Sequence, residues 1–549
     1  MRLSLIVSFA LAASTLIAQP VITANGVLNA SGYQTTLAPD TVFVIFGAAM
    51  GPASIATASA PDYPTILSGT SITFTPAAGG GAVSAKMIYS LAGQVAGLLP
   101  SSIVPGTYAV RVAYNGQSSA PQNVTVAARS FGIASANSAG NGTAQATVGN
   151  VNGGVSLTRF NGGSVNFNGL NWTLTPAHPL DTLVLWGTGG GADAANDTGG
   201  TSGDQTAAGN FIVNVSGRQI TPLYSGTSAG YPGLWQVNFT LPSDIVLDCF
   251  ATVQVTAGGQ SGNSVTIPIA APGQTSCTDP TVSPTILGKL DSGGNLVLGG
   301  FAVAKLDTGA AVPQETGSGS FLQFSTTEWI VLNSGPKFGS CRVFDRTYPA
   351  GGKDPGSPDA YLNAGSQLQL TGPNLPAGFT LNTVSTAVGP AYANSMSAGT
   401  LASGTYALTG TGGPQVGPFN TSTVFPAGFT VTNWTSITVI DRTKPLTLNW
   451  SGSGFDQVAV VIGSTVATST SRHLVTITCM VPGSPGTYTV DNGALAYLSL
   501  VAASGTSFGT ISLQGVKQGN FTANLASGTP IDLGIFSANL GVSKNIATE

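Results

Sequence analysis

At 549 residues the chain is too long for one hydrophobic core, and a guide of about 150 residues per domain gives three or four domains. Apolar residues make up 42% of it and glycine alone numbers 74, while charged residues are only 7%, against roughly 25% in ordinary soluble domains. This balance excludes charge-rich disorder, and a net charge of -4 with no Lys/Arg run lacks the electrostatic footprint needed for nucleic acid or anionic lipid.

The first 18 residues are expected to form an export signal. Arg2 supplies the positive start, Leu3 to Ala13 a short apolar stretch, and Ala18 a small residue before Gln19 and Pro20. Cleavage is expected after Ala18. No cysteine lies near the cut, which argues against a lipid anchor, and no later apolar run reaches the 18 residues of a membrane span. The mature chain is therefore expected outside the cytoplasm, secreted or at the cell surface, with the periplasm as an alternative and no membrane insertion.

Residues 20–128 begin with a polar lead and then DTVFVIFG at 40–47, a continuous apolar run suited to a strand covered on both faces. SITFTP follows at 71–76. GTYAVRVAY at 106–114 alternates, with Tyr108, Val110, Val112 and Tyr114 on one side, so one face is buried and the other wet. The Asn115-Gly116 turn leads to a closing strand, NVTVAA, at 123–128. Residues 129–283 repeat this plan: DTLVLWG at 181–187 answers DTVFVIFG, and FATVQVT at 250–256 answers TYAVRVA. Between them lies GTGGGADAANDTGGTSGDQTAAGN, too polar and too rich in glycine for a helix.

The repetition extends to single residues. Tyr89, Gln94, Pro100 and Ile103 answer to Tyr224, Gln236, Pro242 and Ile245, and Gly116-Gln117-Ser118 to Gly259-Gln260-Ser261, with a spacing after the tyrosines of about 141 to 143 residues. Short strands without helical periodicity predict two antiparallel sandwiches of immunoglobulin type. The GTxxVxVxYNGQxS turn, the stretch from Tyr89 through Gln94 to Pro100, and PLYSGxxxGYPGLWQVNFTLP followed by GGQSGNSVTI resemble the paired immunoglobulin-like (IPT/TIG-like) domains of secreted acidobacterial proteins, over roughly residues 24 to 280. This resemblance implies fold and an exported location, and it supplies no catalytic residues. The first copy departs from the family pattern where Ala92-Gly93-Gln94-Val95-Ala96 replaces a Pro-Gly-Gln-Ile-Asn core.

Residues 284–549 follow a Pro/Ser/Thr stretch at 279–285 that reads as a linker. Strands are expected at 329–333 (WIVLN), 341–344, 366–370, 445–450, 457–463, 474–481 and 486–490. The later part of this run also resembles, more weakly, a C-terminal β-domain of the same secreted proteins. Whether 284–425 and 426–549 are a β-rich domain followed by a sandwich-like one, or a single unit, is open from sequence. Four cysteines in an exported chain imply disulfides, and they allow three pairings. Strand parity favours Cys249 with Cys277 and Cys341 with Cys479, which would make residues 284–549 one covalent unit.

Several motifs carry chemical meaning. GTGGGA at 187–192 follows a strand as a dinucleotide fingerprint does, but no helix start follows it to face a pyrophosphate. G-x-S-x-G occurs around Ser228 and Ser507; His473 is the one histidine after Ser228 and none follows Ser507. His178 and His473 lack metal ligands at useful spacing. Asp193, Asn196, Asp197 and Asp204 share one loop and offer the oxygen donors that suit Ca²⁺, to be weighed against a solvated loop; Asp345, Asp354 and Asp359 form a weaker cluster. Of six tryptophans, Trp186 and Trp235 read as core, whereas Trp172, Trp434 and Trp450 lie in Asn-Trp-Thr or Asn-Trp-Ser. Trp434 and Trp450 are the candidate platforms for a sugar ring, against packing in the core.

The sequence is thus read as an all-β, non-catalytic secreted or cell-surface protein of tandem immunoglobulin-like modules, structural or adhesive, with no cofactor other than possible calcium and with a surface protein or polysaccharide as partner. The alternative is a polysaccharide-binding accessory protein using Trp434 or Trp450. An enzyme with its chemistry in 284–549 is a third reading.

Overall fold

Alternating apolar residues fold this chain into stacked sheets. The computed structural model describes residues 18–149, 155–167, 169–279, 282–484 and 486–549, so the expected export signal lies outside the described residues except for Ala18. Within them there are many strands and four short α-helices, and the chain is all-β, arranged as several sandwiches.

The duplication seen in the sequence is a duplication of topology. In the first module Val42–Ala48, Gln94–Leu98 and Lys86–Leu91 are successive neighbours in one sheet, and Gln122–Val126, Gly106–Tyr114 and Thr70–Pro76 in the facing one. The second module repeats both runs, as Thr182–Thr188, Trp235–Thr240 and Tyr224–Thr227 on one side and Gln260–Ile269, Asp248–Ala257 and Ile212–Val215 on the other. The predicted inward row is realised for Tyr108, Val110 and Val112, buried against Phe43 and Phe74, while Tyr114 at its end is half-buried. Pairing is not wholly antiparallel as expected: Thr36–Leu37 runs parallel to Gln122–Val126, and Val155–Thr158 parallel to Leu170–Thr175.

Beyond residue 283 one 15-stranded sheet draws strands from both 284–425 and 426–549. Cys341–Pro349 pairs with Ser471–Pro482, and Asn295–Asp307 lies parallel to Leu533–Thr548. Two long strands, Phe508–Phe521 and Leu533–Thr548, serve two cores at once. Ile511, Leu513 and Ile546 pack with Val460 and Trp450, while Phe521, Phe536 and Ala538 join an aromatic cluster around Phe301, Phe321 and Phe419. The disulfides are Cys249–Cys277 and Cys341–Cys479, the second bridging residues directly opposite in the ladder.

Three expectations need correction. WIVLN is not a strand: it belongs to the α-helix Thr326–Asn333, because Ser325 Oγ accepts the Glu328 N–H at 3.1 Å and starts a helical turn. The stretch at 279–285 is not simply a linker, since Ser283 caps the helix Pro284–Ser292, whose Ile286, Leu287 and Leu290 are buried with Phe160, Phe250 and the Cys249–Cys277 pair. The glycine-rich loop does contain helix, a 3₁₀ turn at Asn196–Thr198 and an α-turn at Thr206–Gly209.

Phe321 is fully buried and meets Phe301, Phe419 and Phe521 with ring centroids 5.1 to 6.2 Å apart. Phe321→Ala is expected to lower unfolding stability by about 3 to 5 kcal/mol, read from the urea midpoint. A loss below about 1 kcal/mol would contradict this account of the core.

Candidate functional site

The four loop residues that suggested calcium converge on the junction between the first two modules. Asp193 is buried, and its carboxylate accepts from Ser202 N–H (3.0 Å), Ser202 Oγ (2.5 Å), Thr227 Oγ1 (2.6 Å) and Ala195 N–H (3.1 Å). Burial alone would push this carboxyl up, but the bonds from Ser202, Thr227 and Ala195 outweigh it and hold the carboxyl below the usual range. Asn196, also buried, donates to Gly200 O and accepts from Gly233 N–H at 2.6 Å. Asp197 faces the first module, where Ser101 Oγ and N–H donate to it at 2.6 and 3.2 Å and Lys86 Nζ donates to its carbonyl at 2.6 Å. Asp204 accepts from Thr206 and from Ser225 N–H, and the Thr206 bonds lead in lowering its pKa.

These side chains therefore point to different partners and do not enclose one ion. Among the described residues no group of three or more His, Cys, Asp or Glu is placed to hold a metal. The expected solvated loop is instead an ordered clamp, because its carboxylates find N–H and O–H donors within the protein.

At the centre of the junction is a buried aspartate. Asp40, the first residue of the DTVFVIFG run, is fully buried and accepts the indole N–H of Trp235 from the second module at 3.2 Å. Its other oxygen has no hydrogen-bond partner among the described residues. Burial, reinforced by Asp197 and Asp193, pushes its pKa up to about 8, against the lowering effect of the Trp235 bond and Lys86. Around it the backbones interlock: Val42 N–H donates to Thr188 Oγ1, which donates to Gly233 O, and Asn29 Nδ2 donates to Ser130 O. The GTGGGA stretch has a packing role here. A Cβ on Gly190 would meet the Trp235 ring at 2.2 Å, and Gly189 has φ 87°, a conformation that side chains disfavour.

The other candidates are dispersed. Trp450 is 5% exposed and its indole N–H donates to Gly483 O at 3.0 Å; it forms the wall of a groove of about 600 Å³ with Phe455 and Asp456 but offers no open ring face. Trp434 is half-buried with Lys544 Nζ 4.4 Å from its ring centre. Trp235 is core, Trp186 is half-buried, and Trp172 lies half-buried on Leu170–Thr175. Asp354 pairs with Arg346 and Asp359 with Lys353, apart from Asp345, which pairs with His473. His178 contacts Asp181 and Gln274 O. Ser228 hydrogen-bonds through its backbone to Leu234 and Asn196, and Ser507 Oγ accepts from Ala467 N–H. Neither serine of the two G-x-S-x-G motifs has a hydrogen bond to histidine among these contacts.

The second module meets the C-terminal unit through a buried ion pair that sequence reading did not find. Arg342 donates to both oxygens of Asp248, at 2.7 and 3.0 Å, and lies 5.9 Å from the Phe250 ring centre. Each partner adjoins a disulfide cysteine, Cys341 and Cys249.

No family model matches the chain, and no curated protein does. Solved structures with some likeness include SGBP-B of the Bacteroides ovatus mixed-linkage glucan utilization locus, in complex with a mixed-linkage heptasaccharide, at 11% identity over 54% of this chain and 67% of that one, with a TM-score of 0.21. SGBP-B from a complex xyloglucan utilization locus in Bacteroides uniformis is 12% identical over 69% and 86%, with a TM-score of 0.15. Sidekick-1 immunoglobulin domains 1–4 are 8% identical over 92% and 95%, with a TM-score of 0.12. Likeness this low carries nothing about what the present chain binds.

Asp40 gives the junction a pH dependence of definite sign. Its folded-state pKa lies above the ordinary 3.8, so the stability it confers is complete below that value and is lost as pH rises through about 8. The melting temperature of the native chain should therefore fall relative to Asp40→Asn between pH 5 and 9. A constant difference between the two across that range would refute the assignment.

Proposed function

We propose that this chain is exported and serves as a structural or adhesive protein at or beyond the cell surface, its sandwiches holding surface loops at fixed spacing. The observation that carries this reading is the junction between the first two modules. It is a buried, hydrogen-bonded interface around Asp40, Trp235, Asp193 and Asn196, where a flexible tether would leave such groups in water. Two disulfides suit an oxidising compartment outside the cytoplasm. The resemblance to IPT/TIG-like secreted proteins supports the same location.

A polysaccharide is the partner class favoured by the groove beside Trp450, whose rim carries Ser451, Ser453, Asp456 and Ser484. Hydroxyl groups at the groove's rim, with Asp456 held there by Lys517 and Gln518 N–H, suit a hydroxyl-rich ligand. Isothermal titration against a glycan panel tests this: a saturable heat lost on Asp456→Ala supports binding at this groove, and a flat response to every glycan leaves the structural reading alone.

Rigid spacing has its own test. Gln117 and Gln260 are exposed and equivalent in the two modules, so spin labels at Gln117→Cys and Gln260→Cys should give one narrow distance distribution by pulsed electron resonance. A broad distribution would overturn the spacer. Under tension, the Cys341–Cys479 bond should shield its intervening chain, with a sequence separation of 138. Reduction should then lengthen the unfolded contour by roughly 450 to 500 Å in single-molecule pulling. An unchanged contour length would show that this bond does not carry load.

A further inference from the structure

Three polar side chains from separate segments of the C-terminal unit meet at the edge of one core. Asp345 lies on Cys341–Pro349 and His473 on Ser471–Pro482; Asp345 sits opposite Val475 and Thr347 opposite His473, so the aspartate and the histidine are diagonal neighbours on one face of the sheet. The chain at 492–500 covers that face through buried Ala494, Leu495 and Leu498, and this brings Ser499 to the histidine. His473 Nε2 is 2.7 Å from Asp345 Oδ1, and Ser499 Oγ is 3.1 Å from His473 Nδ1.

The chain holds this serine in place. Its N–H donates to Ser464 Oγ at 2.9 Å and its carbonyl accepts from Thr548 Oγ1. A histidine whose Nε2–H is taken by a carboxylate presents a lone pair at Nδ1, which is what a serine hydroxyl needs from a base. The His473 and Asp345 side chains are 34% and 42% exposed, and Ser499 is half-buried. Beside it, Asp345 and Tyr497 help to line a groove of about 390 Å³ between this unit and the second module. Asn141, Asn214, Gln254 and Ser264 supply the far wall, all amide or hydroxyl side chains.

We propose that Ser499, His473 and Asp345 form a nucleophile, base and orienting carboxylate that hydrolyse short acyl esters carried on a carbohydrate. Ser499 Oγ attacks the ester carbonyl as its proton passes to His473 Nδ1, and Asp345 steadies the imidazolium through Nε2–H. The tetrahedral adduct collapses, the C–O bond to the sugar breaks, and the departing alkoxide takes the proton from His473. Water deprotonated by His473 then attacks the acyl-serine, releasing the carboxylic acid and restoring Ser499. Ester and water become acid and alcohol, with no other reactant. The amide and hydroxyl side chains on the far wall of the groove match a hydroxyl-rich acyl carrier, and the one charged side chain in its lining is Asp345 itself. This activity is independent of the spacer reading, which stands or falls on the distance measurement above.

The test uses the mature chain with its disulfides intact. A fluorophosphonate probe should label Ser499, mapped by mass spectrometry, and 4-nitrophenyl acetate and an O-acetylated xylo-oligosaccharide should both be deacetylated. Ser499→Ala should abolish labelling and turnover, and His473→Gln should slow turnover at least about 100-fold. Asp345→Asn should slow turnover and displace its pH profile. Melting temperatures of the variants report folding; should Ser499→Ala unfold, Ser499→Cys replaces it, and alkylation of the new thiol by iodoacetamide should be slowed by His473→Gln. Absence of label on Ser499, turnover that survives Ser499→Ala in folded protein, or alkylation of the Ser499→Cys variant at a rate indifferent to His473→Gln would each overturn the catalytic assignment. Turnover of 4-nitrophenyl acetate without acetate release from the oligosaccharide would overturn the carbohydrate assignment.

Discussion

Trp235 of the second module reaches across to Asp40 of the first and gives its indole N–H to a carboxyl that has no access to water. Much of the front half of the molecule is arranged around that bond. Glycine stands at 190 because the Trp235 ring occupies the space a side chain would need, and the loop that follows reaches Ser101 and Lys86 through Asp197. A buried carboxyl beside two others is tolerable only if it keeps its proton or finds a donor, and this site does both. The junction is thus a specific fit between two particular faces of the duplicated module, made from residues that differ between the copies. Asp181, the equivalent of Asp40, turns instead to His178.

Charge is scarce in this chain, and the structure uses part of it as pins between segments. Arg342 and Asp248 join the second module to the C-terminal sheet; Lys289 ties the helix Pro284–Ser292 to Asp532; Lys305 neutralises a Glu315 that also accepts from the N–H groups of Gly399 and Leu401. A buried charge deprived of its partner is strongly destabilising, so pairs like Arg342 with Asp248 fix which surfaces meet more than they add to overall stability. Outward-facing positions are left to threonine, serine, asparagine and glycine, which hydrogen-bond to water without long-range fields.

The front half was readable because it is written twice in short alternating strands, where period-two patterns and repeated turns leave little choice of face. Tyr108, Val110 and Val112 point inward as their spacing requires. The back half was harder. Phe508–Phe521 and Leu533–Thr548 are long but broken by Gly515, Gly519, Gly534 and Gly541, so no continuous apolar run announces them; a Cβ on Gly519 would meet the Ser422 carbonyl at 2.2 Å, which is why a small residue stands there. WIVLN misled through its β-branched residues, although Ser325-x-x-Glu328 before it spells a capping box. The loop acids were noticed, yet their role depends on Ser101, Ser202 and Thr227, partners that no local pattern connects to them. Likewise Asp345 and His473 were noticed singly, while Ser499 lies in no motif and reaches them through the chain's return over the sheet.

The parallel pairing of Asn295–Asp307 with Leu533–Thr548 bears on when this protein can fold. Leu298 must wait for Leu533, so the edge of its strand stays unmatched while the ribosome makes more than two hundred further residues. Closure over such a span is slow compared with the local hairpins of the front modules. A chain that emerges in that order would have its leading sandwiches assembled before Leu533–Thr548 arrives to close the sheet behind them.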